Sequence, residues 1–176
     1  IDTIKQLLSL HNSKFVDGKA KNINFEIRMR ILTTRSLESK YKKDCSENCK
    51  YCELSNIYIK EDVYHGIVEC PRVNLFWEKL LPFFRKYGID FKEINKIFGL
   101  QCSKNKVLLN LVIQTAQKAI WFSRYKLETK DILEDIFELF KKYLSRQMYT
   151  VKKIVSQHVF ENIFKNNGII KISRYK

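Results

Sequence analysis

The chain has 176 residues, 45% hydrophobic and 30% charged, which gives it the length and apolar content to bury a substantial core and excludes a disordered or fibrous chain. Its 33 basic and 19 acidic side chains leave a net charge of +14, which points to a polyanionic partner, while no window approaches the ~18 uninterrupted apolar residues of a membrane span. Five cysteines, an odd number with no signal peptide ahead of them, argue against a secreted disulfide framework and for a reducing compartment, the nucleus and cytoplasm.

Only five glycines and two prolines punctuate a chain dominated by Leu, Ile, Lys, Glu and Phe, so the expected fold is mostly α. Ile4, Leu7 and Leu8 predict a helix over 2–10, ended by a polar stretch from His11 to Asn22 that contains Asp17-Gly18. Asn24 has the character of an N-cap for a helix to about Thr34, with Phe25, Ile27, Ile31 and Leu32 inward and Glu26, Arg28 and Arg30 outward. Ser36 to Lys43 adds a short helix. Asp62 to Glu69 reads as another, and after Pro71 an apolar run through Trp77 and Leu81 predicts a deep helix to about Tyr87, stopped by Gly88. Asp90 and Glu93 have capping-box spacing before a short helix ending at Gly99. Ser103 would cap a long helix through Leu127, and Thr129 with Asp131 would open the next, carrying Ile132, Leu133, Ile136, Phe137, Phe140 and Leu144. Helix continues or restarts through Val151, Ile154, Val155, Val159 and Phe164; Gly168 ends it, and Ile169 to Lys176 forms a short strand or a basic tail. The chain begins with Ile rather than Met and reads as a piece of something larger.

Set into this helical pattern are Cys49, Cys52, His65 and Cys70, three sulfurs and one imidazole at zinc-ligand spacing. Together they make a closed tetrahedral set, so zinc is expected to act as a structural clamp rather than a Lewis acid. Five α-helical residues rotate by about 500°, so His65 and Cys70 would not share a face of a continuing helix, and the chain must bend. Pro71 disfavours helical dihedrals at Cys70 and permits that bend. A second ligand set, with Cys45 in place of Cys52, stays open at this point; Cys102 reads as a small buried hydrophobe, and His11 and His158 have no partner cluster in sequence.

Charge is unevenly placed. Residues 45–70 carry two basic and five acidic side chains, whereas residues 146–176 carry seven and one. A phosphate backbone would therefore be gripped by the flanking segments: Arg28, Arg30, Arg35, Lys40, Lys42, Lys43 and Arg72 near the clamp, and Lys152, Lys153, Lys171, Arg174 and Lys176 along the tail. Tyr41, Tyr51 or Tyr125 could stack on unpaired bases. Three regions follow: a basic helical segment at 1–44, a CCHC zinc knuckle with its aromatic helix at 45–87, and a helical carboxy-terminal region with a basic tail at 88–176.

The string Arg30-Ile-Leu-Thr-Thr-Arg35, then Cys49-Lys-Tyr-Cys52, Glu61 through His65, Glu69-Cys70-Pro71 and Phe76-Trp77, resembles the zinc-binding segment that follows the reverse transcriptase domain of LINE-type non-LTR retrotransposons. Ala119-Ile-Trp121-Phe-Ser-Arg124 is similar to that family's following long helix, so the resemblance spans about residues 22–126. The twelve residues between Cys52 and His65 exceed the family's usual loop. The resemblance implies a carboxy-terminal piece of a retrotransposon polyprotein that binds template RNA or target DNA during target-primed reverse transcription, beside upstream reverse transcriptase domains of the same polyprotein, with Cys49, Cys52, His65 and Cys70 holding the metal.

No Tyr-x-Asp-Asp motif is present to hold catalytic magnesium, and no Glu stands two residues after His65 as a zinc deaminase requires, so the chain is not expected to be an enzyme. The competing expectation is a protein-interaction or architectural zinc domain that docks on a polymerase core or host factor.

Overall fold

The computed structural model describes residues 16–100 and 106–161. The helix expected at 2–10, His11, Cys102, the Ser103 cap and the stretch beyond Glu161, with Lys171, Arg174 and Lys176, lie outside the described residues. The architecture is mostly helical, with the four-residue Cys/His cluster embedded in it. In chain order the elements are α1 (Gly18–Met29), α2 (Arg35–Glu38), α3 (Lys50–Glu53), a π turn (His65–Glu69), α4 (Pro71–Lys86), α5 (Glu93–Phe98), α6 (Lys106–Lys130), α7 (Ile136–Ile154) and α8 (Gln157–Phe160). Among the described residues no helix is long and apolar enough to cross a membrane.

α6 is the axis of the molecule. It packs against α7 and α1, and the cysteine-bearing elements lie against it as well. Residues 108–117 are all buried, so the helix has neighbours on every side. Three of its buried polar side chains meet three different neighbours. Asn110 exchanges two hydrogen bonds with the Leu100 backbone, Gln117 accepts from Asn24 at 2.6 Å and donates to the Lys96 carbonyl at 2.7 Å, and Ser123 pairs with the Tyr51 hydroxyl at 2.6 Å. Such bonds set the rotation of α6 against α1, α5 and α3, because a buried polar group left without its partner costs about 1–3 kcal/mol.

α4 starts where Pro71 supplies a preset helical φ at its first position, and it buries Val73, Phe76, Trp77, Leu80, Phe83 and Phe84. The Phe76 ring meets Phe140 of α7 edge-on at 5.7 Å, and Phe84 stacks on Phe91 at 4.0 Å, which joins α4 to α7 and to the segment before α5. α7 contributes Ile136, Leu139, Phe140, Leu144, Met148 and Val151 to the same core, at the three- and four-residue spacing of one helix face.

Several boundaries differ from the sequence expectation. Asp17-Gly18 opens a helix rather than ending one: the Asp17 carboxylate accepts from the Ala20 amide at 2.9 Å, so Asp17 is the N-cap and Asn24 lies inside α1 with its side chain buried against Gln117. The earlier start rotates the buried face to Ala20, Ile23 and Ile27, and leaves Phe25 and Ile31 exposed. Arg30 ends α1 in the left-handed region at φ 56°. The start of α5 is set by Asn95, whose side-chain oxygen accepts from the Lys92 amide at 2.8 Å, rather than by Asp90 and Glu93. α6 runs through Thr129 to Lys130, and α7 begins only after Asp135, whose carboxylate accepts from the amides of Phe137 and Glu138. Ile132 and Leu133 consequently sit in the connection, about half exposed, instead of on a buried helix face.

Candidate metal centre

Cys49, Cys52, His65 and Cys70 are all buried, and their ligand atoms lie within 4.8 Å of one another. They come from two short pieces of chain. Cys49 precedes α3 and Cys52 lies in its only turn, so one helical turn brings the two sulfurs onto the same side. The Cys49 amide donates to the Ile59 carbonyl at 2.8 Å, and the Glu61 amide donates to the Glu47 carbonyl at 2.8 Å. These two bonds flank an antiparallel bridge between Asn48 and Lys60, which closes the loop of residues 53–60 and returns the chain to His65.

The bend between His65 and Cys70 has a specific cause. The Cys70 amide bonds to the His65 carbonyl at 2.9 Å, an i to i+5 bond that widens the turn so that residues five apart come over one another. Trp77 Nε1 donates to the Ile67 carbonyl at 2.8 Å, which occupies an acceptor inside the widened turn. Cys70 then takes φ −50° and ψ 125°, the extended conformation that a residue before proline prefers, and the chain turns into α4. The Asp62 carboxylate accepts from the His65 amide at 2.7 Å and fixes the start of the turn.

The separations suit a small tetrahedral ion. Cys49 Sγ and Cys70 Sγ are 4.0 Å apart, and Cys52 Sγ and His65 Nε2 are 3.4 Å apart. A tetrahedron with zinc–sulfur bonds of about 2.3 Å and a zinc–nitrogen bond of about 2.0–2.1 Å has edges of about 3.8 and 3.6 Å. Cys45 is outside the cluster. Its sulfur lies 3.9 Å from the Glu38 carboxylate and 3.6 Å from the Ser46 carbonyl, so the set left open in the sequence resolves to Cys52.

Without an ion the four groups compete for protons. The hydrogen bond to Cys70, with burial, drives the Cys49 thiol far up, and burial beside Cys49 pushes Cys52 up to about 11. Cys70 is lowered, first by its bond with Cys49 and also by backbone amides of Arg72 and Val73 at the start of α4, a helix N-terminus that favours a thiolate. The bond with Cys49 raises His65 despite the opposing effect of burial. A divalent cation would replace the shared protons and neutralise most of this charge.

A buried ion pair ties the cluster to α6. The Glu61 carboxylate, four residues before His65, accepts from Arg124 Nε at 2.6 Å and also from Arg124 Nη2, with both side chains almost wholly out of solvent. The same carboxylate accepts from the Arg35 amide at 3.0 Å, and Arg124 donates to the Thr33 carbonyl at 3.2 Å. Burial works against the Arg124 charge, but Glu61 and Glu128 more than offset it and raise the pKa. Trp121 lies beneath the Arg124 guanidinium at 4.7 Å. Composition and periodicity gave no sign of this pair; the string of residues around Glu61 and Arg124 that carries the resemblance was the only signal.

The basic residues picked out in sequence divide into two groups. Arg35 donates to the Asn48 carbonyl at 2.8 Å and to Glu53 at 2.7 Å, Arg72 donates to the Glu134 carbonyl at 3.2 Å and covers the Tyr51 ring at 4.9 Å, and Arg28 donates to the Phe98 carbonyl at 3.0 Å. These three guanidinium groups hold the fold together. Arg30, Lys40, Lys42, Lys43, Lys152 and Lys153 are exposed; Lys42 pairs with Glu38, and Lys153 lies over the Tyr149 ring. Tyr51, expected as a possible stacking residue, is buried with its hydroxyl bonded to Ser123, whereas Tyr41 and Tyr125 are exposed.

No family model matches the chain, and no curated protein or solved structure is significantly similar to it.

Proposed function

We propose that this chain is a zinc-pinned nucleic-acid-binding module from the carboxy-terminal part of a LINE-type reverse transcriptase polyprotein, acting on template RNA or target DNA during target-primed reverse transcription. The observation that carries the metal is the buried set of three sulfurs and one imidazole at near-tetrahedral separations, a donor set that suits zinc better than the harder calcium or magnesium ions. With four protein ligands no position is left for a reacting water, so the ion clamps the fold rather than catalysing. A net charge of +14 on a chain whose knuckle is itself acidic supports a phosphate-bearing partner held by the surrounding helices. Of the residues that carry the family resemblance, Arg35, Glu61, Arg124 and Trp121 are joined through hydrogen bonds and a ring contact, and Trp77 separately bonds the turn between His65 and Cys70, as they would if the motif were inherited whole.

Two measurements test the reading. Elemental analysis of folded protein should find one zinc per chain. Binding to RNA and DNA oligomers should weaken with salt, with a log–log slope of about −4 to −5 if some six phosphates are neutralised. Metal-free folded protein, or no retention of either nucleic acid at low salt, refutes it.

One observation favours the protein-interaction reading. A groove of about 360 Å³ opens beside Cys52 and Cys70, and Leu54, Ile57, Leu75 and Leu133 line it while remaining largely exposed. A partner that stays bound through nuclease treatment would support that role.

A further inference from the structure

A second groove, of about 300 Å³, lies between the end of α1, the residues leading into and following α2, and Asp62 to Tyr64 just before the ligand His65. Three cations line it. Arg28 forms part of the wall, braced by the Phe98 carbonyl, while Arg30 and Lys40 are exposed and enter none of the ion pairs among the described residues. The one carboxylate in the lining, Asp62, already accepts from the His65 amide. Tyr64 stands at the edge with more than a third of its surface open, and its hydroxyl is anchored to Glu93 at 2.7 Å, so the ring is fixed in place while still accessible.

The geometry points to this groove as the seat of one unpaired nucleotide of a nucleic-acid strand, its phosphate between Arg30 and Lys40 and its base stacked on Tyr64. The assignment deepens the nucleic-acid reading above and rests on it. Phosphate recognition needs cations that internal carboxylates have not neutralised, and here Arg30 and Lys40 meet that need where Arg35, paired with Glu53 and Glu128, does not. A concave seat with an aromatic edge favours a splayed base over a duplex, in which bases stack on each other and present only the backbone. Arg30 is placed by the fold: as the left-handed residue that ends α1 it leaves the helix direction, and its amide bonds back to Ile27 at 3.2 Å. Because Asp62 and Tyr64 lie within three residues before the ligand His65, the ion that holds the knuckle also shapes one wall of this seat.

The test uses the full chain loaded with zinc and fluorescently labelled oligouridylate, oligothymidylate and a duplex of equal length, read by anisotropy over a salt series. The single strands should bind more tightly than the duplex. The R30Q/K40Q variant should lose about tenfold in affinity or more for the single strands and flatten the salt slope by about 0.7 per lost contact. Tyr64→Ala should lose about tenfold, while Tyr64→Phe, which keeps the ring and gives up the Glu93 bond, should bind as the parent does. Equal losses in Tyr64→Ala and Tyr64→Phe would overturn the stacking role. An R30Q/K40Q variant that binds as the parent does, alongside a K152Q/K153Q variant that does not, would overturn the seat and leave the nucleic-acid reading standing. Failure of the unmodified protein to bind any of the three oligomers would remove both.

Discussion

Arg124 and Glu61, separated by 63 positions in the chain, form a two-pronged ion pair inside the protein, so the knuckle and the central helix cannot separate without exposing two charges. An ion pair that has been stripped of water contributes little net stability compared with an apolar pair, yet loss of one member is severe because the other charge stays buried. Glu61→Gln and Arg124→Met should each destabilise the protein by about 3–5 kcal/mol. The double variant should cost clearly less than the sum, since neither charge is then stranded. Urea denaturation of the three variants measures this, and strictly additive losses would mean that the two residues do not act as a pair.

Removal of the metal should be felt most strongly where the ligands are. Structural zinc in small fingers contributes about 10–16 kcal/mol of apparent binding free energy, so Cys52→Ala or a strong chelator should release residues 47–70. The contacts between α6 and α7 involve none of the four ligands, but α6 is also held by Tyr51 through Ser123 and by Glu61 through Arg124. Hydrogen exchange after chelation should therefore show lost protection across the knuckle, partial loss around Ser123 and Arg124, and retained protection around Leu109 and Phe140. Unchanged protection of residues 47–70 would show that the fold does not depend on an ion.

The cluster of Cys49, Cys52, His65 and Cys70 was legible in the sequence because metal-ligand spacing is a local constraint, although spacing alone did not separate Cys52 from Cys45, and the Pro71 start of α4 and the stops at Gly88 and Gly99 were legible too. The helix starts at Gly18 and Ile136 were misplaced for one shared reason. Asp17-Gly18 has the chemistry of a turn as well as of an N-cap, and Thr129 with Asp131 imitates a cap as well as Asp135 does. Only the tertiary contacts of α6 decide between them. The roles of Arg28, Arg35 and Arg72 were hidden for a different reason: in sequence, a guanidinium that braces carbonyl groups looks the same as one that awaits phosphate. Buried Asn24, Gln117 and Arg124 likewise lie on helix faces that periodicity alone would leave to water.

Two glycines should respond in opposite directions to the same substitution. Gly99 has φ +76° and ψ −167°, a conformation almost confined to glycine, and a Cβ there would lie 2.4 Å from the Asn110 oxygen that accepts from the Leu100 amide. Gly99→Ala should cost at least ~2 kcal/mol. Gly18, at the first position of α1, has no atom within 4 Å of an added Cβ, so Gly18→Ala should be neutral or stabilise by up to about 1 kcal/mol. Thermal melts of the two variants decide it, and a Gly99→Ala protein as stable as the parent would contradict the tight approach of Asn110.

Metal affinity should rise steeply with pH. In the metal-free protein at neutral pH Cys49 and Cys52 keep their protons, both when the knuckle is released and they return to the ordinary thiol value of 9.0 and when it is closed and both lie above it, with Cys52 at about 11. An ion must displace both protons, and any that Cys70 still carries despite its lowered value, so log affinity should climb by at least about two per pH unit between pH 6 and 8. His65, whose own value is raised, adds a further proton toward the acid end of that range. The metal-free fold carries the opposite sign. A thiol whose folded value is raised contributes stability that is complete below its unfolded value near 9 and is lost as pH climbs through about 11, so alkali should drive the metal-free knuckle further toward release while it strengthens metal binding. Competition titrations with a chromophoric chelator at several pH values give the slope. A pH-independent affinity would mean that the sulfurs are not the donors.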